Sequence, residues 1–295
     1  MKASLPVVIV GAGNMGGAMA ARLLALGWSV GVCDIDALAQ SKAVDRGAVP
    51  CVSPRHAASM LSSDGVLLIA VVDAAQTETV LWGSEGAGPE LQAGQTVMLC
   101  PTLGPKTVEA QAERLLQRGV DCMDAPMSGG PLRASLGQMS LMVACSEPVW
   151  QRTQTLLRAL SQQVFRVGVR VGDGSRTKLV NNLLAAVNLV AAAEALAFAE
   201  RLGLDPGATL SVIEASSGQS WIGSDRMRRA LAEDFEPRAH VSLLAKDTGL
   251  AVAAAEDVGY DAPLGLLARA MFAQAMSRGW DQLDDAALLQ LMRQR

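Results

Sequence analysis

The stretch "VVIVGAGNMGGAMAARLLALG" (7–27) constrains this chain most: an apolar, β-branched run breaks into Gly11, Gly13 and Gly16 and resumes at once with helical periodicity. A strand that becomes a helix within so few residues needs backbone that no Cβ obstructs, and G-x-G-x-x-G spacing supplies it. Each glycine has its own expected task. The first makes a tight turn, the second leaves backbone bare for a ligand, and the third lets the helix lie close against the strand. The helix start offers N–H groups and the positive end of its dipole, so the expected ligand is an anion. A glycine-rich turn without a ligand is the competing reading.

A second strand, "SVGVCD", ends in Asp34, eighteen positions past Gly16, where the dinucleotide fingerprint places an acid. Its carboxylate is expected to accept from the adenosine ribose hydroxyls and to repel a 2′-phosphate, which selects NAD over NADP. Asp36 is expected to cap the next helix. Further strand-like runs, "GVLLIAVV", "QTVMLC", "VDCMDA", "MSLMVAC" and "QVFRVG", alternate with helix-like stretches. That alternation reads as βαβ units in a parallel, doubly wound sheet.

After Gly174 the pattern changes. "KLVNNLLAAVNLVAAAEALAFAERLGLD" is one long helical stretch, apolar on nearly every face and ended by Gly203, with Pro206 soon after. Its length approaches that of a membrane span, but Asn181, Asn182, Asn188 and Glu194 interrupt it. The reading preferred over a span is the central, buried helix of a second domain. Later stretches, "DPGATLSVIEAS" with an Asp cap, "AHVSLLAKDTGLAVAAAEDVG" and "APLGLLARAMFAQAMSRGW", are all helical. The expected fold is therefore α/β: an N-terminal Rossmann domain over 1–171 and an all-helical domain over 172–295, with a cleft beside 172–182. One large α/β domain is the alternative for 295 residues.

A net charge of -4 and a pI near 5.3, with no basic run, exclude a nucleic-acid or anionic-membrane partner and leave small-molecule work. The five cysteines are odd in number and form no C-x-x-C pair, so they read as buried thiols of a cytoplasmic protein. A nucleophilic cysteine would want a histidine nearby, and the chain has only His56 and His240. No metal site is expected.

In "DAPMSGGPLRASLGQMSLMVA" (124–144), Ser128, Gly129 and Gly130 follow a strand. They form either an anion-binding nest or a structural turn. Neither glycine motif contains a histidine, so a proton donor or acceptor must come from elsewhere. "GDGSRTKLVNN" (172–182) offers Lys178 on what reads as the first turn of the long helix, where dipole and burial would lower its pKa. Asn182, at i+4, shares its face and can bond the substrate or the lysine. A solvated surface lysine is the bland alternative.

The motifs "GAGNMGGAMA", "DAPMSGGPLRASLGQMSLMVA", "GDGSRTKLVNN" and "LLAKDTGLA" resemble, in order and spacing, those of the β-hydroxyacid dehydrogenases, the family of 3-hydroxyisobutyrate dehydrogenase and tartronate semialdehyde reductase. The resemblance implies an NAD-dependent enzyme with Lys178 as catalytic lysine and Ser128, Gly129, Gly130, Asn182 and Lys246 around a small hydroxy acid. It implies cofactor contacts at Gly11, Gly13, Asn14, Met15, Gly16, Asp34, Val71, Val72, Thr102 and Lys246, and a homodimer or homotetramer. The related 6-phosphogluconate dehydrogenases carry histidine where Asn181 stands, which argues against oxidative decarboxylation. Imine reductases replace the lysine, which is kept here. Cys100-Pro101-Thr102 departs from the family's Ser-Thr in that loop.

Segments 71–83, 216–226 and 235–251 resemble the L-threonate dehydrogenase branch. Ser128, Ser217, Gln219, Ser220 and Arg226 suit a polyhydroxylated four-carbon acid such as threonate, although 217–226 also reads as an ordinary capped loop. 3-Hydroxyisobutyrate and tartronate semialdehyde are the alternative substrates. A nucleotide-sensing protein without catalysis is the alternative of another class.

Overall fold

The computed structural model describes residues 5–295. Its order is β1 (Leu5–Val10), α1 (Asn14–Ala25), β2 (Val30–Cys33), α2 (Ala37–Val44), β3 (Val49–Pro50), α3 (Pro54–Ser59), β4 (Leu61–Ile69), α4 (Ala74–Trp82), β5 (Thr96–Leu99), α5 (Pro105–Leu116) and β6 (Asp121–Asp124). It continues with β7 (Met127–Ser128), α6 (Gly130–Ser135), β8 (Ser140–Ala144), α7 (Glu147–Leu160), β9 (Gln163–Gly168) and α8 (Asp173–Arg201). Helices α9 (Pro206–Glu214), α10 (Trp221–Leu231), α11 (Val241–Asp257), α12 (Pro263–Ser277) and α13 (Leu288–Arg293) complete it. Two compact units are distinguished, and the division falls between Lys178 and Leu179, inside α8.

In the first unit the sheet order is β3-β2-β1-β4-β5-β6-β8-β7, with β9 beside β8. The six strands from β3 to β6 are parallel, the doubly wound Rossmann arrangement. Strand β1 shows why the runs are apolar throughout. Val7 and Ile9 enter the core on one face of the sheet, Val8 and Val10 the core on the other, and all four are buried. Beyond β6 the parallel order is interrupted. There the chain turns through Pro126, runs two residues as β7 and returns as β8, which pairs antiparallel with both β6 and β7. Strands β3 and β7 have two residues each, too few for any periodicity to register.

All five cysteines lie in this unit, free and buried. Burial pushes the thiols of Cys33 and Cys145 up to about 11 and that of Cys51 to about 12, and those of Cys100 and Cys122 higher still. These are structural thiols, as expected; a thiolate nucleophile needs the opposite shift.

The second unit is helical, its only strand-like pairing among the described residues being a bridge between His240 and Asp284. Asp205 caps α9 by accepting from the Ala208 N–H at 2.6 Å, with Pro206 at the first helical position. Helix α8 differs from the wholly buried helix expected. Leu179, Asn182, Ala186, Leu189, Ala193 and Leu196, three and four residues apart, are buried, but Val180, Leu184 and Phe198 are 70%, 61% and 62% exposed. The helix is long and apolar enough to cross a membrane by length and composition, and 39% of its most apolar window is buried. One stripe packs within the protein, and the other faces keep their apolar side chains exposed.

Candidate active site

The strand register places most of the predicted site residues of the first unit along one edge. Val10 pairs with Cys33 and with Ile69, Ile69 with Leu99, and Leu99 with Asp124, so the parallel strands end level. Directly beyond those ends come Gly11, Asp34, Val71, Thr102 and, through Ala125–Met127, Ser128. The carboxyl edge of an open parallel sheet is where such folds hold ligands.

The glycine loop divides its work as the spacing predicts. Gly11 has φ +94°, and a Cβ there would lie 2.6 Å from the Ala70 carbonyl oxygen. At Gly16 a Cβ would lie 1.8 Å from the Gly11 oxygen, so helix α1 lies against the turn only because that atom is missing. Gly13 is different: a Cβ would meet nothing within 4 Å. No protein packing demands glycine at 13, and no side chain caps α1. Its first N–H groups thus stand beside bare, open backbone, the cradle that a pyrophosphate fits. Asn14 and Met15 form the first turn of α1. Asp34 secures the loop, accepting from the Ala12 N–H at 2.5 Å and the Asp36 N–H at 2.8 Å, while Asp36 caps α2. Val72 donates its N–H to Gln76 at 3.0 Å, and Val71 packs beside Gly11.

A cavity of about 360 Å³ opens along this loop, with Gly13, Asn14 and Gly17 on one side and Asp36, Lys42 and Arg46 on the other. These two cations, Lys42 in the last turn of α2 and Arg46 just beyond its end, were not singled out from the sequence, although their place after Asp34 was there to be read.

Ser128 is held by the β7–β8 ladder, paired with Ser140. Gly129 and Gly130 follow with φ +126° and +75°, a conformation that side chains resist at both positions. Nothing lies within 4 Å of where a Gly130 Cβ would be, so one face of the turn is open. Helix α8 begins at Asp173, five residues before Lys178. Lys178 therefore sits in the second turn rather than the first, where the dipole acts weakly. It is 7% exposed, which removes the reading of a solvated surface lysine. The helix start is fastened by buried Asp124 at the end of β6, whose oxygens accept from the Gly172 and Ser175 N–H groups and the Ser175 hydroxyl.

In the second unit Asn182 and Lys246 come together through Asp247, a residue that sequence reasoning passed over. The Asn182 amide donates to Asp247 Oδ2 at 2.6 Å, and Lys246 Nζ to Asp247 Oδ1 at 2.6 Å. The Asn182 carbonyl accepts from the Asn181 amide at 2.9 Å, so Asn181 orients its neighbour. The Arg226 guanidinium is 13% exposed and paired with Asp285 and Asp225 at 2.6 and 2.5 Å. Ser220 caps α10, and Ser217 and Gln219 are exposed. His240 precedes α11, with Nδ1 2.9 Å from the Gln282 carbonyl, and His56 lies in α3.

Comparison with known proteins accords with this architecture. Residues 6–168 match the family described as the NAD binding domain of 6-phosphogluconate dehydrogenase, and residues 172–292 that described as the NAD-binding of NADP-dependent 3-hydroxyisobutyrate dehydrogenase. The L-threonate dehydrogenase of Cupriavidus necator is 37% identical over 96% of this chain and 94% of its own. That of Escherichia coli is 33% identical over 97% and 94%. The crystal structure of 3-hydroxyisobutyrate dehydrogenase from Salmonella typhimurium superposes with a TM-score of 0.89, 32% identity, and 97% and 99% coverage.

Proposed function

This chain belongs to the hydroxyacid dehydrogenase family of the 3-hydroxyisobutyrate dehydrogenase type and is an NAD-dependent enzyme, and from that premise we propose that it oxidises a hydroxyl of a small polyhydroxy acid such as L-threonate. The observation that carries the chemistry is the burial of Lys178, 7% exposed on a helix fastened to the end of β6. A buried lysine this close to the strand ends is suited to take the proton of the substrate hydroxyl. The Ser128–Gly130 turn is assigned the substrate carboxylate, and Asn182 and Lys246, aligned by Asp247 within the second unit, are assigned to substrate on the family resemblance. NAD, bound along Gly11–Gly16 and at Asp34, Val71, Val72 and Thr102, supplies the hydride acceptor. Asp34 favours NAD over NADP by charge.

Lys178→Ala tests this reading: turnover falls by about 10²- to 10⁴-fold while NADH still binds. Unchanged turnover would remove Lys178 from the chemistry. The threonate preference rests on the L-threonate dehydrogenase relatives. 3-Hydroxyisobutyrate is the second reading, favoured by the Salmonella structure. A kinetic screen of threonate, erythronate, glycerate, tartronate semialdehyde and 3-hydroxyisobutyrate with both cofactors decides between them. We place the enzyme in the cytoplasm, on its five free thiols, and assign the exposed Val180, Leu184 and Phe198 of α8 to association with further copies of the chain. A protein that only senses nucleotide is set aside on family membership.

A further inference from the structure

Asp124 is a fully buried carboxylate for which the proposed chemistry has no task. Its Oδ2 accepts from the Gly172 N–H at 3.0 Å and the Ser175 N–H at 2.7 Å, and its Oδ1 from the Ser175 hydroxyl at 2.9 Å. Gly172 immediately precedes α8 and Ser175 lies in its first turn, so neither N–H has a partner within the helix. The carboxylate reaches them from β6, 48 and 51 residues earlier in the chain.

A local Ser, Thr or Asn could cap such a helix for about 1 kcal/mol without burying a charge. Burial raises the Asp124 carboxyl to about 6, against the pull of its hydrogen bonds to Ser175 and Gly172, so the group is held ionised at neutral pH at a cost that helix capping alone does not require. What the long reach adds is position. Ser175 and Lys178 are three residues apart on one face of α8, and both are buried. On the other side, β6 ends at Asp124, and the chain reaches Ser128 in β7 after three intervening residues, Ala125–Met127. The helix lies hard against the strand ends, for a Cβ on Gly174 would stand 2.6 Å from the Met142 carbonyl oxygen and 2.9 Å from that of Asp124.

We propose that Asp124 is a positioning residue: by fastening the first turn of α8 to the end of β6, it holds Lys178 in its working place relative to the Ser128–Gly130 turn. This rests on the reading of Lys178 as the proton acceptor. Asp124 touches neither substrate nor reacting atoms and acts only through the backbone and hydroxyl it binds.

The test is a double-mutant cycle on the full-length chain, assayed with the hydroxy acid of highest turnover in the screen. Asp124→Asn replaces an acceptor oxygen with an amide that faces N–H donors. It is expected to lower kcat by about 10- to 100-fold, with NADH affinity unchanged, because a displacement of about 1 Å at a reacting group has that effect. In a Lys178→Ala background the same substitution should change the residual rate by less than about twofold, since nothing is left to position. Ser175→Ala removes one of the three bonds and should lower kcat several-fold with the same non-additivity. Should Asp124→Asn fail to fold, the Ser175→Ala cycle decides between the two outcomes. Wild-type kcat in Asp124→Asn, or losses that multiply in the double variant, would overturn the proposal while leaving Lys178 in place. Wild-type turnover in Lys178→Ala alone would overturn the underlying reading, and this inference with it.

Discussion

The glycine loop and the Asn182–Asp247–Lys246 cluster are both candidate ligand sites, and they are built in opposite ways. The loop is made of backbone. Side-chain bulk is absent where the chain must close on itself, at Gly11 and Gly16, and also at Gly13, where nothing would obstruct it. The cluster is made of side chains that bond one another, the carboxylate of Asp247 taking one donor from Asn182 and one from Lys246. A backbone cradle suits the invariant phosphates of a nucleotide, and an array of held side chains suits a substrate that differs from one enzyme to the next.

The largest expected effect separates the glycines themselves. Gly16→Ala forces a Cβ to within 1.8 Å of the Gly11 oxygen, so the loop must open. It should destabilise the chain by about 3 kcal/mol and abolish measurable NADH binding. Gly13→Ala should leave the thermal midpoint within about 1 °C and weaken NADH binding alone. Equal loss of midpoint in both variants would mean that Gly13 serves the fold. Asp247→Asn probes the other side of the comparison. Removing the charge that holds Lys246 should lower kcat/KM for the hydroxy acid by about 10- to 100-fold, with NADH affinity and thermal midpoint little changed. A fall in NADH affinity as large as that in kcat/KM would place the cluster on the cofactor instead. Asp34→Asn should shift the ratio of NADP to NAD use upward by about tenfold, as repulsion of a 2′-phosphate is removed. An unchanged ratio would transfer cofactor choice to Lys42 and Arg46.

The smallest effect is in stability against pH. Asp124 and Asp285 are both raised by burial from 3.8 to about 6. Between those values the folded chain keeps protons that the unfolded chain has lost, so their stabilising contribution is present at the acid end and is lost as pH rises through about 6. Glu78 and Asp284, held low by Arg114 and Arg229, act in the opposite sense at lower pH. The slope of urea midpoint against pH between 5 and 7 should therefore be shallower in Asp285→Asn than in the parent chain. An identical slope would show that Asp285 titrates alike in both states.

What could be read in advance follows the same division. Glycines before a helix, an acid ending the second strand and an apolar run of alternating strands each have few physical causes, so the Rossmann half and its loop were legible in residues 7–34. The antiparallel return at β8 was not, because it depends on a two-residue strand that no pattern marks. Asp124 and Asp247 were passed over for a related reason. A single aspartate in a motif looks like any other until the fold brings Ser175 to one and Asn182 with Lys246 to the other. The pairing of Arg226 with Asp285 was equally invisible, since a cation in a polar segment carries no mark of the acid 59 residues later that the fold brings to it.

The five buried thiols make the first unit its own reporter of opening. Because their ionisation is suppressed and all of them lie before Lys178, a maleimide or iodoacetamide pulse marks only molecules whose sheet has come apart. The second unit contains no cysteine and is silent in the same experiment. The rate at which fivefold-alkylated chain accumulates, with and without NADH, thus gives the opening free energy of the nucleotide-binding half by mass alone, with no engineered label.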